Sequence, residues 1–271
     1  MLIDMERAKT GIPGFDKLVE GGIPRGFNVL ITGFPGTGKT IFGLQYLYNG
    51  AKQGEPGVYV SLDAPADQLK VQAKQFGWDF DALEKQKKVS FVKVPEGSIK
   101  VNIFSMIEDA VEETGAKRLV FDNLSIFHVN LDQFVVPLSY KTDLNPSITV
   151  DPAKMKDKKY RYEVMPALGQ DPKGRTFYTG ASESRIIYLV INALADLRTT
   201  NLIITDAGGE GKTTTDGVSE YVCDGVLDLN IADLGGNSAR TLKVAKMRMT
   251  KHTFDFQKFE IANAGIALPG R

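Results

Sequence analysis

Apolar runs of strand length alternate along the chain with stretches in which apolar residues recur every three or four positions. The runs lie at residues 28–32, 58–62, 89–94, 118–121 and 201–205. Between them Ile41, Leu44, Leu47 and Ala51, then Ile103, Ile107 and Ala110, then Ile186, Val190, Leu194 and Leu197 each line one face of a helix. Strand and helix in repeated alternation predict an α/β domain, a mostly parallel sheet with helices covering its faces. After Gly217 the texture changes to shorter runs at 225–231, 241–249 and 253–261, which read as antiparallel strands added at one edge.

One stretch interrupts this rhythm. Between positions 129 and 180 the chain carries Pro137, Pro146, Pro152, Pro166 and Pro172 around a Lys-rich centre, DPAKMKDKKYRY. Structureless loops longer than ~12 to 15 residues are uncommon in compact domains, so the segment reads as an insertion: a lid, a binding element or a small subdomain. The whole chain, residues 1–271, is read as a single domain carrying it.

Composition narrows the function classes. A chain of 271 residues with 42% hydrophobic content can build a sizeable core. Its 33 basic and 33 acidic residues balance, so no global positive field exists to hold duplex nucleic acid or an anionic membrane. One cysteine, Cys223, excludes an internal disulfide and is read as packing; with only His128 and His252 beside it, a structural zinc site is excluded too. Trp78 is read as a contact between helices. The first residues carry no apolar run of signal-peptide length, and no stretch approaches ~18 uninterrupted apolar residues, so a soluble cytoplasmic protein is expected.

The strongest chemical signal is GFPGTGKT, comprising Gly33, Phe34, Pro35, Gly36, Thr37, Gly38, Lys39 and Thr40, set between the apolar run NVLIT and the helical stretch from Ile41. It fits the pattern G-x-x-x-x-G-K-[ST], and strand before and helix after are the context that pattern requires. Glycines let consecutive backbone N–H groups turn inward onto a phosphate at the helix N-terminus. Lys39 would then reach the β- and γ-phosphates and Thr40 Oγ1 would ligate Mg²⁺. A chance match in a chain this long occurs about 1% of the time at average residue usage, so a ligand-free glycine turn is the weaker reading.

Three of the runs end in carboxylates: VYVSLD at Asp63, RLVFD at Asp122 and NLIITD at Asp206. Ligands of open parallel sheets bind beyond the strand C-termini, so all three carboxylates are placed to converge on the phosphates. A phosphate-bound Mg²⁺ needs one such carboxylate, and attack by water needs a group to orient it.

Taken in order, TGIPGFDKLVEGGIPRG, GFPGTGKT, VYVSLDAP, KRLVFDNL, GVSEYVCDGVLDL and RTLKVAKMRMTKHTFDFQKFEIANAGI resemble the KaiC-like branch of the RecA/RadA/DnaB ATPases. The resemblance covers most of residues 10–65 and 117–124 and nearly all of 184–266. It implies a RecA-like P-loop core, ATP as ligand, Asp122 as the Walker B residue linked to Mg²⁺, Asp206 in the place of a γ-phosphate sensor, and a homo-oligomeric ring, usually hexameric, with nucleotide at the subunit boundaries. On a strand, Lys246, Arg248, Thr250 and His252 would share one face. The resemblance implies that Lys246 and Arg248 are supplied to the neighbouring subunit's γ-phosphate, with Thr250 and His252 near the nucleotide.

Two departures bear on activity. Met249 stands where the family usually has Gly, and Asp63 with Ala64 replaces the tandem Glu residues of which the first is taken as the hydrolytic base. Asp is shorter by one methylene, and a poorly oriented water costs orders of magnitude in rate, so hydrolysis is expected to be slow. The reading is therefore a Mg-dependent, ATP-binding, slowly hydrolysing ring protein acting as a switch or motor on a protein partner. One alternative is a recombinase-like ATPase that holds single-stranded nucleic acid through channel-facing segments with Lys154, Lys156, Lys158, Lys159, Arg161 and Lys212, interleaved with Tyr160 and Tyr162. The other is a non-hydrolysing ATP sensor or scaffold.

Overall fold

Every residue of β3 (Asn28–Gly33), β6 (Arg118–Asp122) and β7 (Thr200–Ile204) is buried, the mark of central parallel strands covered on both faces. Alternate residues of β3 feed opposite layers: Val29 and Ile31 join one core, Leu30 the other. The computed structural model describes residues 5–93, 103–131, 134, 180–209, 212–233 and 235–269. The expected insertion at 129–180, with Lys154, Lys156, Lys158, Lys159, Tyr160, Arg161 and Tyr162, lies outside the described residues except at its two ends.

In chain order the remaining elements are β1 (Arg7–Ala8), α1 (Phe15–Leu18), β2 (Ile23–Pro24), α2 (Lys39–Lys52), β4 (Gly57–Ser61), α3 (Ala66–Lys74), α4 (Phe80–Lys85), β5 (Val89–Lys93), α5 (Ile103–Thr114) and α6 (Leu124–Val129). They continue with α7 (Gly180–Asp196), α8 (Ser219–Val222), β8 (Gly225–Asp233), β9 (Ser238–Met247), β10 (Gln257–Ala262) and β11 (Gly265–Ala267). The main sheet has the order β11-β10-β9-β8-β3-β7-β6-β4-β5, and β1 and β2 form a separate small pair.

The helices divide between the two faces as their apolar stripes require. Phe42, Leu44, Tyr46 and Leu47 of α2 pack with Leu69 of α3 and Phe80 of α4; Ile103 and Ile107 of α5 pack with Phe127 of α6 and Val190 of α7 on the other side. Trp78 lies 5.8 Å from the Tyr48 ring of α2, an interhelical contact as expected, and Cys223 is buried in the second layer. No helix among the described residues is long and apolar enough to cross a membrane.

The C-terminal runs differ from their expected form in two ways. The first of them becomes β8, which joins the parallel core beside β3 and pairs antiparallel only with β9. An apolar run carries no sign of its direction, so this strand's partner was open. The second run becomes β9, but a register shift opposite Val226/Leu227 interrupts its alternation, and it ends at Met247 rather than at 249. Arg248 and Thr250 consequently sit in the turn beyond the strand, with Met249 between them at φ 53.

Candidate nucleotide site

The loop between β3 and α2 depends on backbone that only glycine supplies cheaply. Gly33 has φ 155, and a Cβ there would stand 2.2 Å from the Leu229 carbonyl oxygen of β8. Gly38, at φ 107, caps α2 without a side-chain hydrogen bond. The first bond of the helical ladder runs from the Phe42 N–H to the Gly38 carbonyl at 2.9 Å. The amides of Lys39, Thr40 and Ile41 thus precede the ladder, at the positive end of a 14-residue helix. Thr37 closes the loop on itself, its hydroxyl donating to the Phe34 carbonyl at 2.8 Å.

Register brings the strand-end groups level. Ser61 lies beside Asp122, Asp122 beside Ile204, and Ile204 beside Ile31. Thr40, one residue into α2, donates to Asp122 Oδ2 at 2.9 Å, and the buried Tyr59 hydroxyl donates to the same oxygen at 2.6 Å. Burial pushes the Asp122 carboxyl above its ordinary value; the two hydrogen bonds oppose that rise, and the nearby Asp63 charge adds to it. Asp63 itself is exposed where the chain leaves β4. Its charge is felt at Asp122, so the two carboxylates lie near one another.

Lys39 is only 8% exposed and its ammonium is occupied. It donates to the Gly33 carbonyl at 2.6 Å and pairs with Asp206 Oδ1 at 3.1 Å. Asp206 is in turn held by Asn123 Nδ2 at 3.1 Å, while its backbone N–H donates to Ser125 Oγ at 2.9 Å. Ser125 shares hydrogen bonds with the hydroxyls of Thr205, at 3.0 Å, and Thr215, at 3.1 Å. The carboxylate of Asp206 sits on the Lys39 ammonium as an anionic phosphate oxygen would.

Lys246 and Arg248 lie elsewhere. Gly33 is level with Leu229, whereas Met247 is level with Gly225 and therefore with Val29, where β3 begins. Four strand residues, or ~13 Å, separate the two levels. Lys246 and Arg248 are thus at the opposite end of the sheet from their own P-loop. There Lys246 donates to the carbonyls of Glu220 at 3.0 Å, Tyr221 at 3.0 Å and Cys223 at 2.7 Å, closing the C-terminal end of α8. Burial and the neighbouring Arg248 charge hold its ammonium below the usual lysine range. Arg248, half-exposed, pairs with Asp224 at 3.0 Å. Thr250 accepts from Arg7 Nη1 at 3.0 Å, and the ring of His252 stands 5.0 Å from that of Phe254.

Sequence reasoning did not single out Tyr59, Asn123, Ser125 or Arg240. Asn123 had a readable signal: it precedes an apolar run and caps α6, accepting from the Ser125 N–H at 2.6 Å. Arg240, beside Ile231 at the P-loop end of β9, reaches the Gly36 carbonyl with Nε and Nη2, both at 3.3 Å. Nothing in the local pattern distinguishes it from other charged strand residues.

Comparison with known proteins places this geometry. A family model described as "ATPase: KaiC" matches residues 8–136 and 180–269. A UPF0273 protein of Aeropyrum pernix is 29% identical, covering 97% of this chain and 93% of the relative, and one of Thermotoga maritima is 29% identical over 97% and 96%. The crystal structure of the KaiC-like protein PH0186 from Pyrococcus horikoshii superposes with a TM-score of 0.73 at 29% identity, covering 98% of this chain and all of that one. With the family model matching most of its length and the RecA-type sheet in place, the chain belongs to the KaiC-like ATPases of the RecA superfamily, a family of nucleotide-binding ATPases.

Proposed function

We propose that the protein is a Mg-dependent ATP hydrolase that works as a homo-oligomeric ring, six subunits around, with each nucleotide shared between neighbours and its hydrolysis driving a conformational switch. One observation carries the reading: two bonded pairs, Thr40 with Asp122 and Lys39 with Asp206, stand at the strand ends where α2 begins. In this reading the γ-phosphate competes with Asp206 for the Lys39 ammonium, and Asp206 with Asn123 registers its arrival. Phe34, Pro35, Gly36 and Thr37 complete the loop around the phosphates.

Thr40 Oγ1 and Asp122 Oδ2, 2.9 Å apart, are hard oxygen donors suited to hold Mg²⁺, which would offset charge on the phosphate oxygens. Among the described residues no His/Cys/Asp/Glu cluster builds an all-protein metal cage, which fits an ion completed by phosphate and water. Asp63 orients the attacking water from the crevice mouth, at a reduced rate because its reach is short. The remote placement of Lys246 and Arg248 supports their service to a neighbour, with Thr250 and His252 beside the shared nucleotide. The break in the family match between 136 and 180 supports one domain carrying an insertion.

The test is ATP binding and phosphate release by the purified protein and its Lys39→Ala variant, with mass measured in the same samples. A folded Lys39→Ala protein should lose at least tenfold in affinity or turnover. Unchanged binding and turnover in that variant would refute the site.

A further inference from the structure

We infer that Arg7 and Glu20 are positioning residues for the Arg248 finger. This rests on the reading that Arg248 serves a neighbouring subunit's phosphate. The turn that carries the finger, residues 248–251, is gripped from the far end of the chain. Arg7 Nη1 donates to Thr250 Oγ1 at 3.0 Å and Nη2 to the Met249 carbonyl at 3.4 Å. The same guanidinium is anchored on its own side by the carbonyls of Val19 at 3.2 Å and Gly22 at 3.1 Å. Glu20 completes the bracket: its Oε2 pairs with Arg7 at 3.1 Å and accepts the Lys251 N–H at 3.2 Å. Thr250 Oγ1 passes the hold onward, donating to the Arg248 carbonyl at 3.2 Å.

The turn needs that hold. Met249 is at φ 53 and Glu20 at φ 53, two side-chain-bearing residues in the left-handed region on either side of one guanidinium. Left-handed backbone is unfavourable for a residue with a Cβ, so an unbracketed Met249 relaxes out of it and swings Arg248 away from its bearing. Arg7 is largely buried and belongs to β1, whose pairing with β2 (Arg7 beside Pro24) fixes its origin. Its planar fork spans several acceptors at once, which a lysine cannot reproduce.

Steady-state ATP hydrolysis, nucleotide binding and subunit mixing test this together. Arg7→Ala should lower kcat about 10- to 100-fold, as a misplaced catalytic group does, with the Kd for Mg-ATP unchanged. Glu20→Gln should lower kcat about 3-fold. Met249→Gly, which removes the backbone strain, should return several-fold of the kcat lost in Arg7→Ala, whereas a general loss of folding would not be rescued. In mixtures, Arg7→Ala with Lys39→Ala should regain activity, because one supplies intact P-loops and the other intact fingers; Arg7→Ala with Arg248→Ala should not. Amide exchange at Lys251 should rise in both bracket variants while β9 stays protected. If Arg248→Ala and Lys39→Ala fail to complement, the shared-site reading falls. If they complement but Arg7→Ala and Glu20→Gln keep parental kcat, or Arg7→Ala does not complement Lys39→Ala, the bracket inference alone is overturned.

Discussion

The two ends of β3 hold polar groups of opposite design. At its C-terminal end Lys39 pairs with Asp206, which Asn123 also holds, and the buried Asp122 takes hydrogen bonds from Thr40 and Tyr59, so each polar group is answered within the same subunit. At its N-terminal end Arg248 is half-exposed beside Asp224, and Lys246, partly buried, donates to backbone carbonyls at the end of α8. Buried and compensated groups hold their geometry before any ligand comes; an exposed cation on a turn has to be aimed. On the proposed function, the first region binds within one chain and the second is offered outward.

The sharpest way to break that contrast is Arg248→Ala. A cation supplied in trans acts on charge that develops in the transition state, so turnover should fall ~10³-fold while most nucleotide binding survives. Mixing with Lys39→Ala subunits should restore part of the rate. A monomeric protein with full activity, or a variant that loses binding in parallel with turnover, would place Arg248 in its own subunit's site.

Asp63→Asn probes the buried end at its exposed rim. If Asp63 is the water-orienting carboxylate, neutralising it should cost about 10²-fold in turnover, with Mg-ATP affinity retained. Parental hydrolysis by the variant would give the water to another group. Asp63→Glu is the sharpening experiment: if short reach is what slows the enzyme, the added methylene should raise kcat above the parental value.

The buried end was largely legible in the sequence and the exposed end was not, for physical reasons. GFPGTGKT is a contiguous motif whose conformation follows from its glycines, and strand-end carboxylates at Asp122 and Asp206 follow from where apolar runs stop. The five parallel strands named first were legible because both their faces are covered. The direction of β8 was not, since burial gives no polarity. The end of β9 at Met247 took Arg248 off the strand face that strict alternation assigned to it. Tyr59 reads as one more strand aromatic until β4 and β6 are paired, and the Arg7–Thr250 bond joins residues 243 positions apart. Contacts of that separation are set by topology, and no local window contains them.

The smallest expected effect concerns the cost of compensation at the buried end. Burial raises the Asp122 carboxyl in the folded protein above the ~3.9 it has in an unfolded chain. The folded state therefore holds the proton more tightly, and Asp122's contribution to stability is favourable below the unfolded value and declines as pH rises through the folded one. In its ionised form the carboxylate carries a burial penalty in the fold, offset in part by Tyr59 and Thr40. Asp122→Asn removes the titration and keeps an oxygen that can accept both hydroxyls. Urea unfolding of the ligand-free variant from pH 4 to 7 should show a smaller decline than the parent. The same variant should lose the extra stability that Mg-ATP confers on the parent. A variant with the parent's full pH decline would mean that the Asp122 carboxylate is already compensated by Tyr59 and Thr40, and the proposed need for a cation beside it would fall.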